Sequence, residues 1–264
     1  MNRKLNYKPL KLTIMKILKT TLLVTFALCL TINFSQAQKR YRVHQDNVKP
    51  SMVAEYEKIT KEFNAACKEH NVQTSWITVT TSDFKYLYVT PIENMADLDQ
   101  RPFADMAKAM GDDFGKMFER FDKCYDSHGG YIITLDEDLT YMPDGISLTQ
   151  EGQNHRKYYY LYYTPENQAK LREGMKAIKE MFASKESKEY YRIYRSGFGT
   201  MESYYMVAIS AKDEIDSATR GKANDELLGD GRHEVFANLM KYVSKFEELS
   251  GEIRPDLGYS PKEE

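Results

Sequence analysis

The chain has 264 residues, 42% of them hydrophobic, with 37 Lys+Arg against 39 Asp+Glu. That is material for one large domain or two small ones. The near-neutral, slightly acidic balance lacks the basic footprint that nucleic acid or an anionic membrane surface requires.

The first 37 residues read as an export signal. Arg3, Lys4, Lys8, Lys11, Lys16 and Lys19 precede the uncharged apolar run Thr20 to Ile32, and Ser35-Gln36-Ala37 offers small residues where a signal peptidase inspects the chain. The apolar run is shorter than the roughly 20 residues of a membrane-spanning helix. Leu28, before Cys29, does not fit a lipoprotein signal. Cleavage after Ala37 removes six basic residues and no acid, so the mature chain carries 31 basic against 39 acidic residues, a net charge of −8. The expected location is periplasmic or extracellular, with no membrane association after cleavage. The two remaining cysteines, Cys67 and Cys124, could pair in an oxidising compartment or stay as buried thiols, and the second reading is preferred.

After the signal, Arg40 to Gln45 reads as a strand. Met52, Tyr56, Ile59, Phe63 and Ala66 then recur at helical spacing. Thr74 to Thr80 and Phe84 to Pro91 read as strands. A helical stretch from Met95 to Tyr125 breaks at Gly111-Asp112, where glycine can end one helix and Asp112 or Asp113 can cap the next. Gly129-Gly130 is expected to end that stretch, and Tyr131 to Leu135 to form the last strand. A polar linker covers 144–156. The order then repeats: strand Lys157 to Tyr163, a helix opened by Pro165 with Leu171, Met175, Ile178 and Phe182 on one face, strands near Tyr190 to Tyr194 and Ser203 to Ile209, helices broken at Gly229-Asp230 with a stripe running to Phe246, and a tail strand near Glu252 to Tyr259.

Two echoes support a duplication. Asp138-Leu139-Thr140-Tyr141-Met142-Pro143 returns as Asp256-Leu257-Gly258-Tyr259-Ser260-Pro261 at an offset of 118, and Phe118 returns as Phe236. The first helix matches its repeat at 119. Each echo closes its unit and is read as structural, with the tyrosine hydroxyl anchoring the tail. The expected class is α+β: two tandem ferredoxin-like β-α-β-β-α-β units, residues 38–143 and 157–264. The strands are apolar on both faces, so the bare sheet faces should cover each other.

In this pattern the chain resembles the dimeric α/β-barrel superfamily in tandem form, its two sheets packed as an intramolecular α/β barrel. The resemblance covers residues 40–261 and implies a monomer with an internal pseudo-dimer. It also implies a range of roles, from cofactor-free monooxygenases to haem-degrading and haem-binding enzymes, among which fold does not choose.

Strand alternation sorts residues by face. Extending the offset of 118 to the strands places Arg42, His44, Trp76, Tyr86, Tyr88, Tyr160, Tyr162, Tyr194 and Tyr204 between the sheets, and Tyr41, Val43, Leu87 and Val89 under the helices. Such a lining suits a small apolar or aromatic molecule, or a packed core of rings. The catalytic candidates are His44, since a histidine can serve as acid, base or haem ligand, and Arg42, which can grip a carboxylate. They would serve the oxygenase or haem-handling alternative. No motif implies a cofactor. The histidines lack metal-ligand spacing in sequence, Asp136-Glu137-Asp138 lacks the spacing of a calcium loop, and Gly229 to Glu234 is explained by a helix break. Charge runs such as Lys185 to Glu189 read as solvated surface, with a protein-interaction face as a further alternative.

Overall fold

The computed structural model describes residues 38–261; the expected export signal and the final three residues lie outside them. In chain order the elements are β1 (Arg40–Val48), α1 (Val53–Glu69), β2 (Ile77–Thr81), β3 (Lys85–Ile92), α2 (Ala104–Met110), α3 (Asp112–Asp122), β4 (Tyr125–Leu135), β5 (His155–Tyr162), α4 (Gln168–Ser184), β6 (Tyr191–Ser196), β7 (Tyr204–Ala211), α5 (Glu214–Leu228), α6 (Gly231–Met240) and β8 (Lys245–Ile253). Each half is β-α-β-β-α-β, its last helix split in two. Gly111 (φ 57°) and Gly229 (φ 72°) make the splits, because the left-handed turn that ends a helix suits a residue without Cβ. Neither Asp112 nor Asp113 caps α3; both sit in its first turn.

The eight strands close into an antiparallel barrel in the order β1-β3-β2-β8-β5-β7-β6-β4. Each unit contributes a four-stranded sheet, and the sheets join edge to edge through β2–β8 and β4–β6. Closure pairs the end strands of one sheet with the end strands of the other over three residues at each seam. Tyr41, Val43, Val79, Leu87, Ile133, Tyr158, Tyr194, Tyr204 and Met206 pack inside the barrel. The helices cover the outside of each sheet over two further cores. No helix among the described residues is long and apolar enough to cross a membrane.

Three boundaries differ from the sequence reading. Gly129-Gly130 lies within β4, opposite Gln45 and His44, and does not end a helix. The strand is held on its other side by the loop after β6, where the Ile132 amide donates to the Phe198 carbonyl at 2.8 Å. Phe246 belongs to β8, and His155 and Arg156 to β5. The remaining linker plugs one end of the barrel. Ile146 and Leu148 pack into the interior, and the Arg156 and Arg192 guanidiniums donate to the carbonyls of Ser147, Leu148, Gln153 and His155.

The repeat has no single offset. From β1 to β2 it is 115: the Leu135 amide donates to the Lys39 carbonyl as Ile253 does to Asn154, and Leu135 faces Tyr194 as Ile253 faces Val79. Three residues join β2 to β3 and seven join β6 to β7, so the offset grows to 119 at β3, where Val79 faces Leu87 as Tyr194 faces Met206. It is 118 near the unit ends, where Trp76 bridges Tyr259 as Tyr191 bridges Tyr141.

An offset of 118 therefore misses every strand of the β1–β3 region by an odd number, which exchanges the two faces. The faces expected for unit two are in phase, and those expected for unit one are inverted. Tyr160, Tyr162, Tyr194 and Tyr204 do face the barrel interior. Trp76, Tyr86 and Tyr88 pack instead under the first unit's helices, with His44 on the same side, opposite Tyr88. Arg42 is exposed. Their inside places are taken by Tyr41, Val43, Ile77, Val79, Leu87 and Val89.

Candidate functional site

The barrel interior leaves a cavity of only about 80 Å³, well below the roughly 300–1,000 Å³ of small-molecule sites. Rings fill the rest: Tyr204 meets Tyr160 and Tyr162 edge-on at 5.3 and 5.5 Å between centroids, and Tyr41 meets Tyr194 at 6.0 Å. Burial pushes the Tyr41 and Tyr158 hydroxyls up to about 12, so they stay neutral. Arg156 is pulled down to about 10, chiefly by burial and then by the neighbouring charge of Arg192. It remains cationic at neutral pH, and its hydrogen bonds go to the plug.

The larger space lies elsewhere. Between the outer face of the second sheet and helices α4, α5 and α6 is a cavity of about 640 Å³, within the range of roughly 300–1,000 Å³ that holds small-molecule ligands. The first unit explains its origin. There Phe63 is ringed by Phe103, Trp76, Phe118 and Phe121, with centroids 5.3–6.3 Å away, and Met106 and Tyr88 complete the packing. At the equivalent places of the second unit Phe63 becomes Ile178, Tyr88 becomes Val207, and Phe121 becomes Leu239. Counting back from the glycine that ends each helix, Phe103 becomes Gly221 and Met106 becomes Asn224. All five replacements line the cavity. A Cβ on Gly221 would meet nothing within 4 Å. The roof is correspondingly loose: Leu228 alone is buried among the residues of α5, and Leu239 alone among those of α6.

A few polar groups converge on this apolar space. Tyr191, in the place of Trp76, is 6% exposed, and its hydroxyl has no hydrogen-bond partner. Trp76, by contrast, donates from Nε1 to the Leu257 carbonyl at 3.3 Å. Burial drives the Tyr191 hydroxyl well above its ordinary range, so it is a neutral phenol able to donate or accept. The Asn224 side-chain oxygen accepts from the Ser187 hydroxyl at 2.6 Å. Glu189 is buried, and its carboxylate pairs with Arg220 at 3.2 Å; burial raises its pKa, with Arg220 opposing. The run from Lys185 to Glu189 is thus only partly the solvated surface expected, since Ser187 and Glu189 are buried.

The residues around the cavity do not fit haem. No histidine or cysteine lines it, and burial raises both lining tyrosines, Tyr191 and Tyr159, above the ordinary phenol value, Lys157 opposing at Tyr159, so neither offers a phenolate as an axial ligand. Neither Arg42 nor His44 lines this cavity or the barrel interior. Other sequence candidates have structural explanations. Cys67 and Cys124 are free, buried thiols, and burial pushes the Cys67 thiol up to about 12. Asp136 and Asp138 pair with Arg172, and Glu137 with Lys39.

No protein-family model matches the chain, and no curated protein sequence does. Solved structures do match. An anthrone oxidase-like protein superposes with a TM-score of 0.54 at 11% identity, covering 83% of this chain and 92% of that one. A monooxygenase-like protein from Lactobacillus acidophilus gives 0.51 at 9%, covering 84% and 96%. Another from Fusobacterium nucleatum gives 0.50 at 11%, covering 83% and 93%. At such identities the likeness is one of fold, and with the closed eight-stranded barrel it establishes that this chain has the dimeric α/β-barrel fold in its tandem, single-chain form.

Proposed function

We propose that the protein is exported and binds a small, largely apolar molecule carrying a polar oxygen, held between the second sheet and its helices. The observation that carries this reading is the 640 Å³ cavity, whose lining includes Tyr191, a residue with a buried hydroxyl that has no hydrogen-bond partner. An isolated buried hydroxyl costs free energy, and a ligand oxygen would recover it. The duplicated unit fills the same space with Phe63, Phe103, Met106 and Tyr88, so the opening is a difference between two copies of one plan. The sheet-to-sheet space favoured by the tyrosine pattern is too small for such a ligand. The oxidase and monooxygenase descriptions of the neighbours support an enzymatic alternative at the level of fold alone, since His44 and Arg42 lie outside this cavity.

The test is to purify the protein from an exporting host, release bound molecules under denaturing conditions and identify them by mass spectrometry. Thermal shifts with a panel of phenols, quinones and fatty acids would follow. Tyr191→Phe should keep or raise the stability of the ligand-free protein, by up to about 1–3 kcal/mol, while weakening binding. A ligand that binds Tyr191→Phe as tightly as the parent would remove the hydroxyl from the site. Absence of any co-purified or stabilising molecule would count against the function itself.

A further inference from the structure

The first unit carries a second constellation, on the outer face of its sheet and remote in sequence from the cavity wall. Strands β1 and β4 are antiparallel neighbours, with Asp46 opposite His128 and His44 opposite Gly130. These residues share one face, and Gly130 adds no side chain to it. His44 Nε2 lies 3.1 Å and His128 Nδ1 3.9 Å from Asp46 Oδ1, and one ligand atom from each of the three residues falls within 4.8 Å of the others. Ligands about 2.0–2.2 Å from a tetrahedral metal stand about 3.3–3.6 Å apart, so small side-chain adjustments would bring all three onto one ion.

The state of Asp46 argues for an ion over a simple ion pair. Its side chain is 7% exposed, and Oδ1 has no hydrogen-bond partner despite the nearness of His44. The imidazole is close but not aimed as a donor. The other oxygen, Oδ2, accepts from the Tyr56 hydroxyl, which is itself linked to the Tyr88 hydroxyl at 2.8 Å. Outer partners of this kind orient a ligating carboxylate and leave its other oxygen free. A buried bare carboxylate oxygen is costly, and a cation would offset that cost. His44 and His128 are 39% and 55% exposed, which gives an ion a way in and leaves its remaining position to water. The His128 ring is steadied by stacking on Tyr125 at 5.1 Å.

We propose that His44, Asp46 and His128 form a binding site for one divalent first-row transition ion. Two imidazoles and a carboxylate suit zinc, cobalt or iron(II) and disfavour calcium and magnesium, which prefer all-oxygen shells.

The test uses the untagged full chain, stripped of metal by a chelator, titrated with Co²⁺ and followed by visible d–d absorption and thermal unfolding. The expected result is saturation at one ion per chain with a raised unfolding temperature. His44→Ala and His128→Ala should each abolish the saturable absorption, and Tyr56→Phe should weaken binding about 10- to 100-fold. His128, the more exposed ligand, gives the decisive variant, because its replacement leaves the hydrophobic core untouched. No saturable absorption by the parent, or the same saturation in a folded His128→Ala variant, would overturn the proposal.

Discussion

Glu57 holds Arg254 with two hydrogen bonds, at 2.6 and 2.9 Å. At the equivalent place in the other unit Arg172 holds Asp136. The duplication has kept an ion pair between the first helix and the end of the last strand while exchanging its charges. In the first pair, hydrogen bonds from Arg254 draw both carboxyls down: Glu57 falls below its ordinary value, and Asp256 to about 2. Both therefore bind protons more weakly when folded. Their contribution is complete above the ordinary aspartate and glutamate values of 3.8 and 4.5 and is given up as pH falls towards 2. The unfolding temperature should drop over that window. Arg254→Met should lower stability at neutral pH and flatten the acid limb, and an acid limb unchanged in that variant would show that other groups set it. At this scale the sequence is hard to read. The acids and bases are visible, but which of them meet depends on offsets of 115 and 118, and a charge-exchanged pair leaves no identity to align.

Elements differ in how well they tolerate misalignment. The first helix matches its repeat in sequence at 119, where the structure gives 115: Tyr56, Thr60, Phe63 and Cys67 correspond to Leu171, Met175, Ile178 and Phe182, all buried. A slip of four residues returns nearly to the same helix face, so the amphipathic stripe survives it. A strand repeats every two residues, and an odd slip assigns Arg42, His44, Trp76, Tyr86 and Tyr88 to the wrong face. Alternating apolar residues on both faces give no warning. The terminal echoes are legible because they are short, rigid and alike. Leu139 and Leu257 are fully buried. Tyr141 donates to the Ser187 carbonyl at 3.1 Å, and Tyr259 to those of Cys67 and Val72 at 3.0 and 2.9 Å. The Leu257 carbonyl accepts from Asn64, Trp76 and Thr78. Leu257→Ala and Leu139→Ala should each cost about 2–5 kcal/mol in denaturant titrations. Losses below about 1 kcal/mol, under the usual range for such a truncation, would mean the echoes are not anchors.

On the scale of the whole molecule, closure makes one barrel of two units. Six facing residue pairs join them, Val79 to Thr81 on β8 and Ile133 to Leu135 on β6, and the barrel interior draws side chains from both sheets. Neither unit buries its inner face alone. Urea unfolding should appear as one transition, coincident by circular dichroism and by tyrosine fluorescence, and two separated transitions would show that the units are independent. Duplication is legible in the order of elements, and so is the need for the sheets to cover each other. The cavity is not, because it arises from what the second copy lacks. Aligned on the glycine breaks, Phe103 against Gly221 and Met106 against Asn224 are the available signal.

If this missing bulk makes a ligand site, restoring the bulk must close it. The most direct test is the binding isotherm of an apolar fluorescent probe, N-phenyl-1-naphthylamine, for the parent and for Gly221→Leu. Leucine in the middle of α5 removes a glycine that costs about 1 kcal/mol in a helix, and its side chain enters space where nothing stands within 4 Å of the Cβ. The parent should bind one probe per chain, and Gly221→Leu should be more stable and bind little or none. Equal binding by a stable Gly221→Leu variant would show that the cavity under α5 is not where the ligand sits.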